Sequence, residues 1–172
     1  MLFRSARESV LLISPTGGGK TLAGFLPSLA EITERGSGEG IHTLYVSPLK
    51  ALAVDIARNL EAPIAEMKLP VTVETRTGDT PHSKRQRQRR MPPHMLLTTP
   101  ESLSLLLSHE DAALLFRDLK TVIVDEVHAF AAQKRGDLLS LGMARLNAIN
   151  PGLRRVALSA TVHLGEIGRA HV

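Results

Sequence analysis

The sequence predicts an α/β domain in which a parallel sheet is covered by helices on both faces. Short apolar segments alternate along the chain with segments whose apolar residues recur at helical spacing. That alternation is typical of parallel strands joined by crossover helices. A glycine-rich loop also joins the first strand to the first helix. The length of 172 residues fits one domain.

Six short segments have the apolar composition of strands that are buried on both faces. They are residues 10–13, 42–46, 71–75, 95–98, 121–124 and 155–158. Helical spacing runs from Lys20 onward and then through residues 51–67, 102–108, 111–116 and 136–149. Pro27 lies inside the first helix, where we expect it to remove one backbone hydrogen bond and to kink the helix locally.

An octapeptide with the composition of a phosphate-binding loop follows the first strand. Its residues are Ser14, Pro15, Thr16, Gly17, Gly18, Gly19, Lys20 and Thr21. Glycines let backbone N–H groups curl around a phosphate, and the N-terminus of the next helix adds partial positive charge. We therefore predict a nucleotide site in which Lys20 reaches the terminal phosphates and the Thr21 hydroxyl ligates Mg²⁺. The alternative is a glycine-rich turn before an ordinary helix.

Two carboxylates follow the fifth strand directly. In an open α/β sheet, ligands bind beyond the carboxyl ends of the strands, so Asp125 and Glu126 are placed for chemistry. We predict that Asp125 holds Mg²⁺ and that Glu126 orients and deprotonates a water that attacks the γ-phosphate. Read alone, the pair is equally typical of a solvated acidic turn. The phosphate loop upstream favours the catalytic interpretation.

The composition excludes several classes of protein. No apolar run reaches the roughly 18 residues of a membrane span, so we expect a soluble cytoplasmic protein without membrane contact. The chain has no cysteine, and its seven histidines lack metal-ligand spacing, so we predict no zinc. Four phenylalanines and one tyrosine are too few for a base-stacking platform. The net charge of +4 weakly favours a polyanionic partner.

The two ends of the chain look foreign to the domain. Residues 1–5 and 166–172 resemble in-frame translations of sequencing-adapter DNA, and we expect them to be non-native. The alternative is a pair of natural polar tails. On this interpretation the domain spans residues 6–165 of a longer protein.

Six segments resemble the motifs of superfamily 2 helicases, in the order in which that family has them. They are residues 14–21 (motif I), 46–52 (motif Ia), 76–79 (a glycine segment), 98–103 (motif Ib), 125–128 (motif II, in its DEVH form) and 159–161 (motif III). The chain is similar to the first RecA-like domain of these helicases, a P-loop NTPase fold. It resembles most closely the Lhr (large helicase-related) branch, and within it the bacterial ligase-associated DNA-repair enzymes.

The resemblance implies an ATP-dependent, single-strand DNA translocase that uses Mg²⁺ and unwinds duplexes, with RNA as an alternative substrate. Its partners would be single-stranded or partly duplex DNA and a second RecA-like domain of the same longer chain. That second domain carries the arginine finger in this family, so the isolated chain is expected to hydrolyse ATP weakly or not at all. A nucleotide- and DNA-binding module without turnover is therefore one alternative, and a P-loop kinase or other non-motor NTPase is another.

Residues after the second, third and fourth strands are predicted to contact the nucleic-acid backbone. They are Pro48, Lys50, Gly78, Thr99, Pro100 and Ser102. Backbone N–H groups near helix starts, hydroxyls and the lysine ammonium can contact phosphates without reading bases. The alternative is that Ser102 is a helix N-cap and Lys50 an exposed residue of a first helical turn.

Two further predictions concern coupling and charge. The resemblance implies that His128 and the motif III residues Ser159, Ala160 and Thr161 link the nucleotide site to the nucleic-acid track. Residues 82–90 carry five positive charges and are either a solvated helix face or a DNA-facing patch.

Overall fold

The computed structural model describes residues 9–13, 19–35, 40–130 and 134–160. Its sheet of six strands is parallel throughout, in the order β1-β6-β5-β2-β4-β3. The strands are β1 (Val10–Ile13), β2 (Thr43–Val46), β3 (Val73–Arg76), β4 (Met95–Thr98), β5 (Thr121–Val124) and β6 (Arg154–Ser159). The predicted parallel α/β class is confirmed.

Helices connect the strands and cover both faces of the sheet. They are α1 (Lys20–Arg35), α2 (Lys50–Glu66), α3 (His82–Arg90), α4 (Pro100–Ser108), α5 (Ala112–Leu115) and α6 (Lys134–Ile149). A short 3₁₀ turn, Val127–Phe130, follows β5. Within the described ranges, no helix combines the length and the apolar composition needed to cross a bilayer.

Two buried clusters of mainly aliphatic residues hold the layers together. One lies beneath α1 and α2 and includes Phe25, Tyr45 and Leu158. The other lies beneath α4, α5 and α6 and includes Leu44, Leu103 and further residues on the opposite face of the sheet. Neighbouring residues of a strand point to opposite faces, so Leu44 and Tyr45 enter different clusters.

The six predicted strands and five predicted helices are present, with small shifts that have local causes, whereas α3 lies where a helix was only one of two interpretations. The third strand begins at Val73 rather than residue 71, because the Thr72 N–H donates to the His94 ring at 3.0 Å instead of joining the ladder. The fourth helix begins at Pro100, since proline fits the first helical position, where no intrahelical donor is needed. The first helix continues past Pro27 to Arg35.

Candidate functional site

The predicted site residues follow strands that end at one edge of the sheet. The register pairs Ile13 with Ser159, and Val46 with both Val124 and Thr98. Arg76 in turn pairs with Thr98. Because all six strands are parallel, the segments after β1, β5, β2, β4 and β3 leave the sheet at this carboxyl edge. The described residues of all six motif segments therefore map to it.

The described part of the phosphate-binding loop is its last glycine and the helix start. Gly19 has φ +72°, a left-handed conformation that glycine adopts without strain. Lys20, the first residue of α1, is 8% exposed, and Thr21 is half-buried. The predicted loop residues Ser14, Pro15, Thr16, Gly17 and Gly18 lie outside the described residues.

The first helix lies on the same face of the sheet as Asp125. A Cβ added at Gly24 would be 3.5 Å from Leu158 and 3.8 Å from Ile123, so α1 crosses directly over β6 and β5. The ring of the next residue, Phe25, stacks on Tyr45 with centroids 5.4 Å apart. The Tyr45 hydroxyl then donates to Asp125 Oδ2 at 2.5 Å. These contacts connect the helix that begins with Lys20 to the predicted metal carboxylate.

Asp125 is buried, and both of its oxygens accept hydrogen bonds. Oδ2 accepts the Tyr45 hydroxyl, and Oδ1 accepts the backbone N–H of Glu126 at 2.8 Å. Its own N–H donates to the Val46 carbonyl at 2.9 Å, so Asp125 continues the pairing of β5 with β2. Burial, and then the negative charge of Asp125, hold the pKa of Tyr45 far above its usual range. The phenol therefore stays protonated and remains a donor.

Glu126 has φ +46°, an uncommon left-handed conformation for a residue with a side chain. Such strain costs on the order of 1–3 kcal/mol and clusters at functional sites. The Glu126 Oε2 atom is buried and accepts no hydrogen bond within the described part of the chain. Its nearest ion-pair partner is His128 Nδ1 at 3.3 Å, a contact that is ionic only when the imidazole is protonated. A buried carboxylate oxygen without a donor is suited to receive a proton from water.

Two of the predicted coupling residues, His128 and Ser159, are in contact beside Glu126. His128 Nδ1 lies 3.0 Å from the Ser159 hydroxyl oxygen, which joins the turn after β5 to the end of β6. Ser159 is fully buried, whereas Ala160 is half-buried just beyond the strand. Thr161 lies outside the described residues.

The donors at this edge fit a magnesium ion. The Thr21 hydroxyl and the Asp125 carboxylate are hard oxygen ligands of the kind that Mg²⁺ takes, and in nucleotide sites phosphates and water supply the other ligands. No group of three or more histidine or acidic side chains forms a metal cage in the described ranges. A nucleotide-linked Mg²⁺ does not require such a cage.

The nucleic-acid half of the predicted site is more open. Lys50 Nζ lies 2.9 and 3.0 Å from the two carboxylate oxygens of Asp79. A Cβ added at Gly78 would come within 3.3 Å of Lys50 Nζ, so the lysine lies against the bare backbone of the glycine. A cleft of about 580 Å³ lies here between α2, β3 and the loop at residues 77–81. Lys50 is exposed in the first turn of α2, as the alternative interpretation had it.

The hydroxyls at the start of α4 are less accessible than we expected. Thr99 and Ser102 are 2% and 6% exposed, and the Thr99 hydroxyl lies 3.4 Å from that of Ser102. The N-cap residue is Thr99 and makes no side-chain cap bond, so the interpretation of Ser102 as an N-cap is wrong. Pro48 and Pro100 are also buried. The groups at this helix start that remain suited to the predicted phosphate contact are the backbone N–H groups of its first turn, of which Pro100 has none.

Residues 82–90 form a helix, and three of its arginines are bonded to other groups of the chain. Arg85 donates to the carbonyls of Thr80 at 2.7 Å, Gly78 at 2.6 Å and Thr77 at 3.3 Å. Arg87 pairs with Glu74, and Arg89 pairs with Asp111. Most of this helix is therefore a solvated face with partly paired charges, and contact of the helix with DNA stays a prediction. Arg85 braces the loop that contains Gly78.

The sequence interpretation missed two residues of the site, Tyr45 and Arg85. A signal for the first was present: the chain has a single tyrosine, and it lies in an apolar strand. A buried phenol needs a hydrogen-bond partner. Arg85 gave no such signal, because it is one of five cations in a short segment and only the tertiary structure shows which of them turns inward.

Comparison with known proteins gives this geometry a family. Residues 2–169 match the DEAD/DEAH box helicase family. The chain belongs to that family. The predicted helicase resemblance and RecA-like class are confirmed.

This helicase domain is similar to named members of the Lhr branch. It is 44% identical to an ATP-dependent helicase Lhr-Core protein 2 of Thermococcus barophilus, over 94% of the chain and 20% of the relative. It is 42% identical to an Lhr helicase/uracil glycosylase of Escherichia coli, over 90% of the chain and 11% of the relative. The chain therefore spans about a tenth to a fifth of these relatives.

A solved structure agrees with this assignment. Mycobacterium smegmatis helicase Lhr, solved with ssDNA and AMP-PNP bound, superposes with a TM-score of 0.82 at 44% identity. The match covers 94% of this helicase domain and 22% of the other chain. Membership of the ligase-associated branch stays a prediction.

Proposed function

We propose that this chain is the first motor domain of an ATP-dependent helicase that moves along single-stranded DNA. The observation that supports this best is the connection of α1 to Asp125 through the stacked Phe25 and Tyr45 rings. It brings the helix that begins with Lys20 to the face of the sheet where Asp125 and Glu126 lie. Those are the groups that triphosphate hydrolysis requires.

In the proposed reaction each group has one task. The Lys20 ammonium binds the terminal phosphates and offsets the negative charge that develops on them. Thr21 and Asp125 would hold Mg²⁺, which when bound neutralises charge on the phosphate oxygens. Glu126, whose Oε2 accepts no hydrogen bond among the described residues, orients the attacking water and accepts its proton.

The nucleic-acid strand would cross the ends of β2, β4 and β3. Lys50, the Gly78 backbone and the N–H groups at the start of α4 would contact phosphates there, which requires no base reading. Single-stranded DNA is proposed because the similar Mycobacterium smegmatis structure has ssDNA bound. RNA is the second candidate, since a backbone track differs mainly in contacts to the 2′-OH.

The connection between the two sites is proposed to pass through His128 and Ser159. Their 3.0 Å contact ties the Glu126 segment to the end of β6, so a change at the phosphate can move the strand end. Complete turnover would need a second RecA-like domain. We therefore propose that the isolated chain binds nucleotide but hydrolyses it weakly. From the resemblance to the ligase-associated branch, we also propose that the whole enzyme acts in DNA repair.

The test compares two variants in a longer chain that includes the second domain. Lys20→Ala is expected to abolish nucleotide binding or hydrolysis, because the terminal phosphates lose their cation. Glu126→Gln is expected to retain nucleotide binding and to lower turnover by at least 100-fold, since amide nitrogen and oxygen cannot accept the proton. DNA-stimulated ATP hydrolysis and nucleotide affinity are the measurements.

Three outcomes decide between the candidates. Full ATPase activity in both variants would reject the assignment of the site. Turnover that ignores added nucleic acid would favour a non-motor NTPase. Vigorous hydrolysis by the 172-residue chain alone would refute the proposed dependence on a second domain.

A further inference from the structure

Tyr45 has no role in the reaction described above, yet its environment is unusually restrictive. Its side chain is fully buried in the central strand β2, which lies between β5 and β4. The Phe25 ring stacks on it at an interplanar angle of 30°. The phenol oxygen then lies 2.5 Å from Asp125 Oδ2. Because Phe25 and the surrounding core hold the Tyr45 ring, its hydroxyl has one fixed position beside Asp125 Oδ2.

Asp125 is held from two sides, and the two donors differ in kind. The Glu126 N–H belongs to the backbone and fixes Oδ1, whereas the Tyr45 hydroxyl comes from another strand and fixes Oδ2. With the phenol in place, the carboxylate has one orientation, and each oxygen keeps lone pairs for a further ligand. Without it, the carboxylate could rotate about its Cβ–Cγ bond while Oδ2 lost its only side-chain donor among the described residues.

We infer that Tyr45 is a positioning residue that sets the Mg²⁺ affinity of the nucleotide site by fixing the Asp125 carboxylate. The inference rests on the proposed role of Asp125 as a metal ligand. Groups that hydrogen-bond to a metal ligand typically change metal affinity 10- to 100-fold when they are removed. Tyr45→Phe removes the hydroxyl alone and leaves the ring and its stacking partner in place.

The experiment measures nucleotide binding by this chain as a function of Mg²⁺ concentration, with a fluorescent non-hydrolysable ATP analogue. Tyr45→Phe is expected to raise the half-saturating Mg²⁺ concentration about 10-fold while binding without Mg²⁺ stays the same. Urea unfolding of the same variant reports any loss of stability separately. A half-saturating concentration within twofold of wild type would overturn the inference.

Thr121→Val is the matched control. Thr121 is the first residue of β5, the strand that Asp125 follows, and is 3% exposed. Its hydroxyl has no hydrogen-bond partner in the described part of the chain. Its removal takes one buried hydroxyl from the same strand without touching the carboxylate, so the Mg²⁺ dependence should not change. An equal shift in the control would attribute the Tyr45→Phe effect to general loosening of the strand and overturn the inference.

Asp125→Asn separates the inference from the proposed function. Loss of Mg²⁺ dependence in Asp125→Asn together with normal behaviour of Tyr45→Phe would overturn the role of Tyr45 alone. Unchanged Mg²⁺ dependence in Asp125→Asn would instead refute the metal role of Asp125, and the inference would fail with it.

A second measurement needs no variant, which matters if Tyr45→Phe does not fold. The chain has one tyrosine and no tryptophan, so its intrinsic fluorescence reports Tyr45 alone. A carboxylate that accepts a hydrogen bond from the phenol quenches that fluorescence, and a cation bound to the carboxylate weakens the effect. Mg²⁺ added to the nucleotide-bound wild-type chain is expected to change the tyrosine emission at the same half-saturating concentration. Unchanged emission at saturating Mg²⁺ would overturn the inference.

Discussion

The carboxyl edge of the sheet has two halves, the predicted nucleotide site and the predicted nucleic-acid site, and their charged groups differ in exposure. At the nucleotide half, the polar groups are buried: Lys20, Asp125 and Ser159 are 8%, 3% and 0% exposed. At the nucleic-acid half, the side chains of the Lys50–Asp79 pair are 54% and 76% exposed. The first half is held by packing and short hydrogen bonds. The second also contains the buried hydroxyls of Thr99 and Ser102, but its charged Lys50–Asp79 pair lies in water.

The difference follows from what each half has to do. Buried charges interact strongly because little water screens them, and they cannot rearrange without a large cost. Exposed pairs are worth about 0–1 kcal/mol, so a phosphate can replace the carboxylate partner readily. A fixed nucleotide site suits chemistry, and an exchangeable nucleic-acid site suits a protein that steps along a strand. The predictions that follow probe each half in turn.

The largest effect on stability is expected at Gly136, which packs against the backbone of the turn that follows β5. A Cβ at Gly136 would overlap the backbone carbonyl oxygen of Phe130, the last residue of the turn that contains His128. Gly136→Ala should therefore lower the free energy of unfolding by about 2 kcal/mol. Urea denaturation measures it.

Gly142→Ala on the same helix is the control for helix propensity. Its Cβ would meet Leu103 at 3.4 Å, close to ordinary contact, so stability should stay the same or rise by up to about 1 kcal/mol. Equal losses in the two variants would show that the packing behind the carboxylate turn is not special.

An intermediate effect is expected at the brace behind the nucleic-acid loop. Arg85→Ala removes hydrogen bonds to the carbonyls of Thr77, Gly78 and Thr80, and should lower the free energy of unfolding by about 1–2 kcal/mol. It should also weaken single-strand binding, since the loop loses its fixed conformation. Arg87→Ala on the same helix breaks only the pair with Glu74, in which the arginine is 53% exposed and Glu74 keeps its hydrogen bond from Gln88. It should change stability by less than about 0.5 kcal/mol. Identical behaviour of the two variants would contradict a bracing role.

The smallest effects are expected at the exposed pair, and they should have opposite signs. Lys50→Ala removes one phosphate contact, so single-strand affinity should fall up to about 10-fold and the salt dependence should become shallower by about 0.7. Asp79→Asn releases the lysine from its partner and should raise affinity by about threefold. Fluorescence anisotropy with labelled single strands at 50–200 mM salt (about the range over which phosphate contacts weaken) measures both. Weaker binding by Asp79→Asn would mean that Asp79 supports the contact rather than competing for it.

Much of the fold was predictable because local patterns dominate in a buried parallel sheet. The largely apolar strands around Leu96 and Val122 are buried on both faces, as strands of such a sheet are. The glycine-rich loop and the Asp125–Glu126 pair were also visible, since phosphate and metal chemistry restrict the residue types that can serve it. The shifted start of β3 was not predictable, because it depends on His94, 22 residues away along the chain.

The solvent accessibility of the predicted nucleic-acid residues also could not be predicted from the sequence. Thr99 and Ser102 have side chains that can bind phosphate, but nothing in their spacing tells that α4 begins at Pro100 and buries them. The same holds for the basic helix, where composition cannot tell inward arginines from outward ones.

The sequence by itself determined the order of strands and helices, the phosphate-binding loop and the carboxylates that follow β5, because each depends on residues close together in the chain. Only the tertiary structure decided that Tyr45 restrains Asp125 and that Arg85 holds the Gly78 loop. Both contacts join residues from different elements, and a hydrogen bond forms only where the packed sheet and helices bring donor and acceptor within about 3 Å.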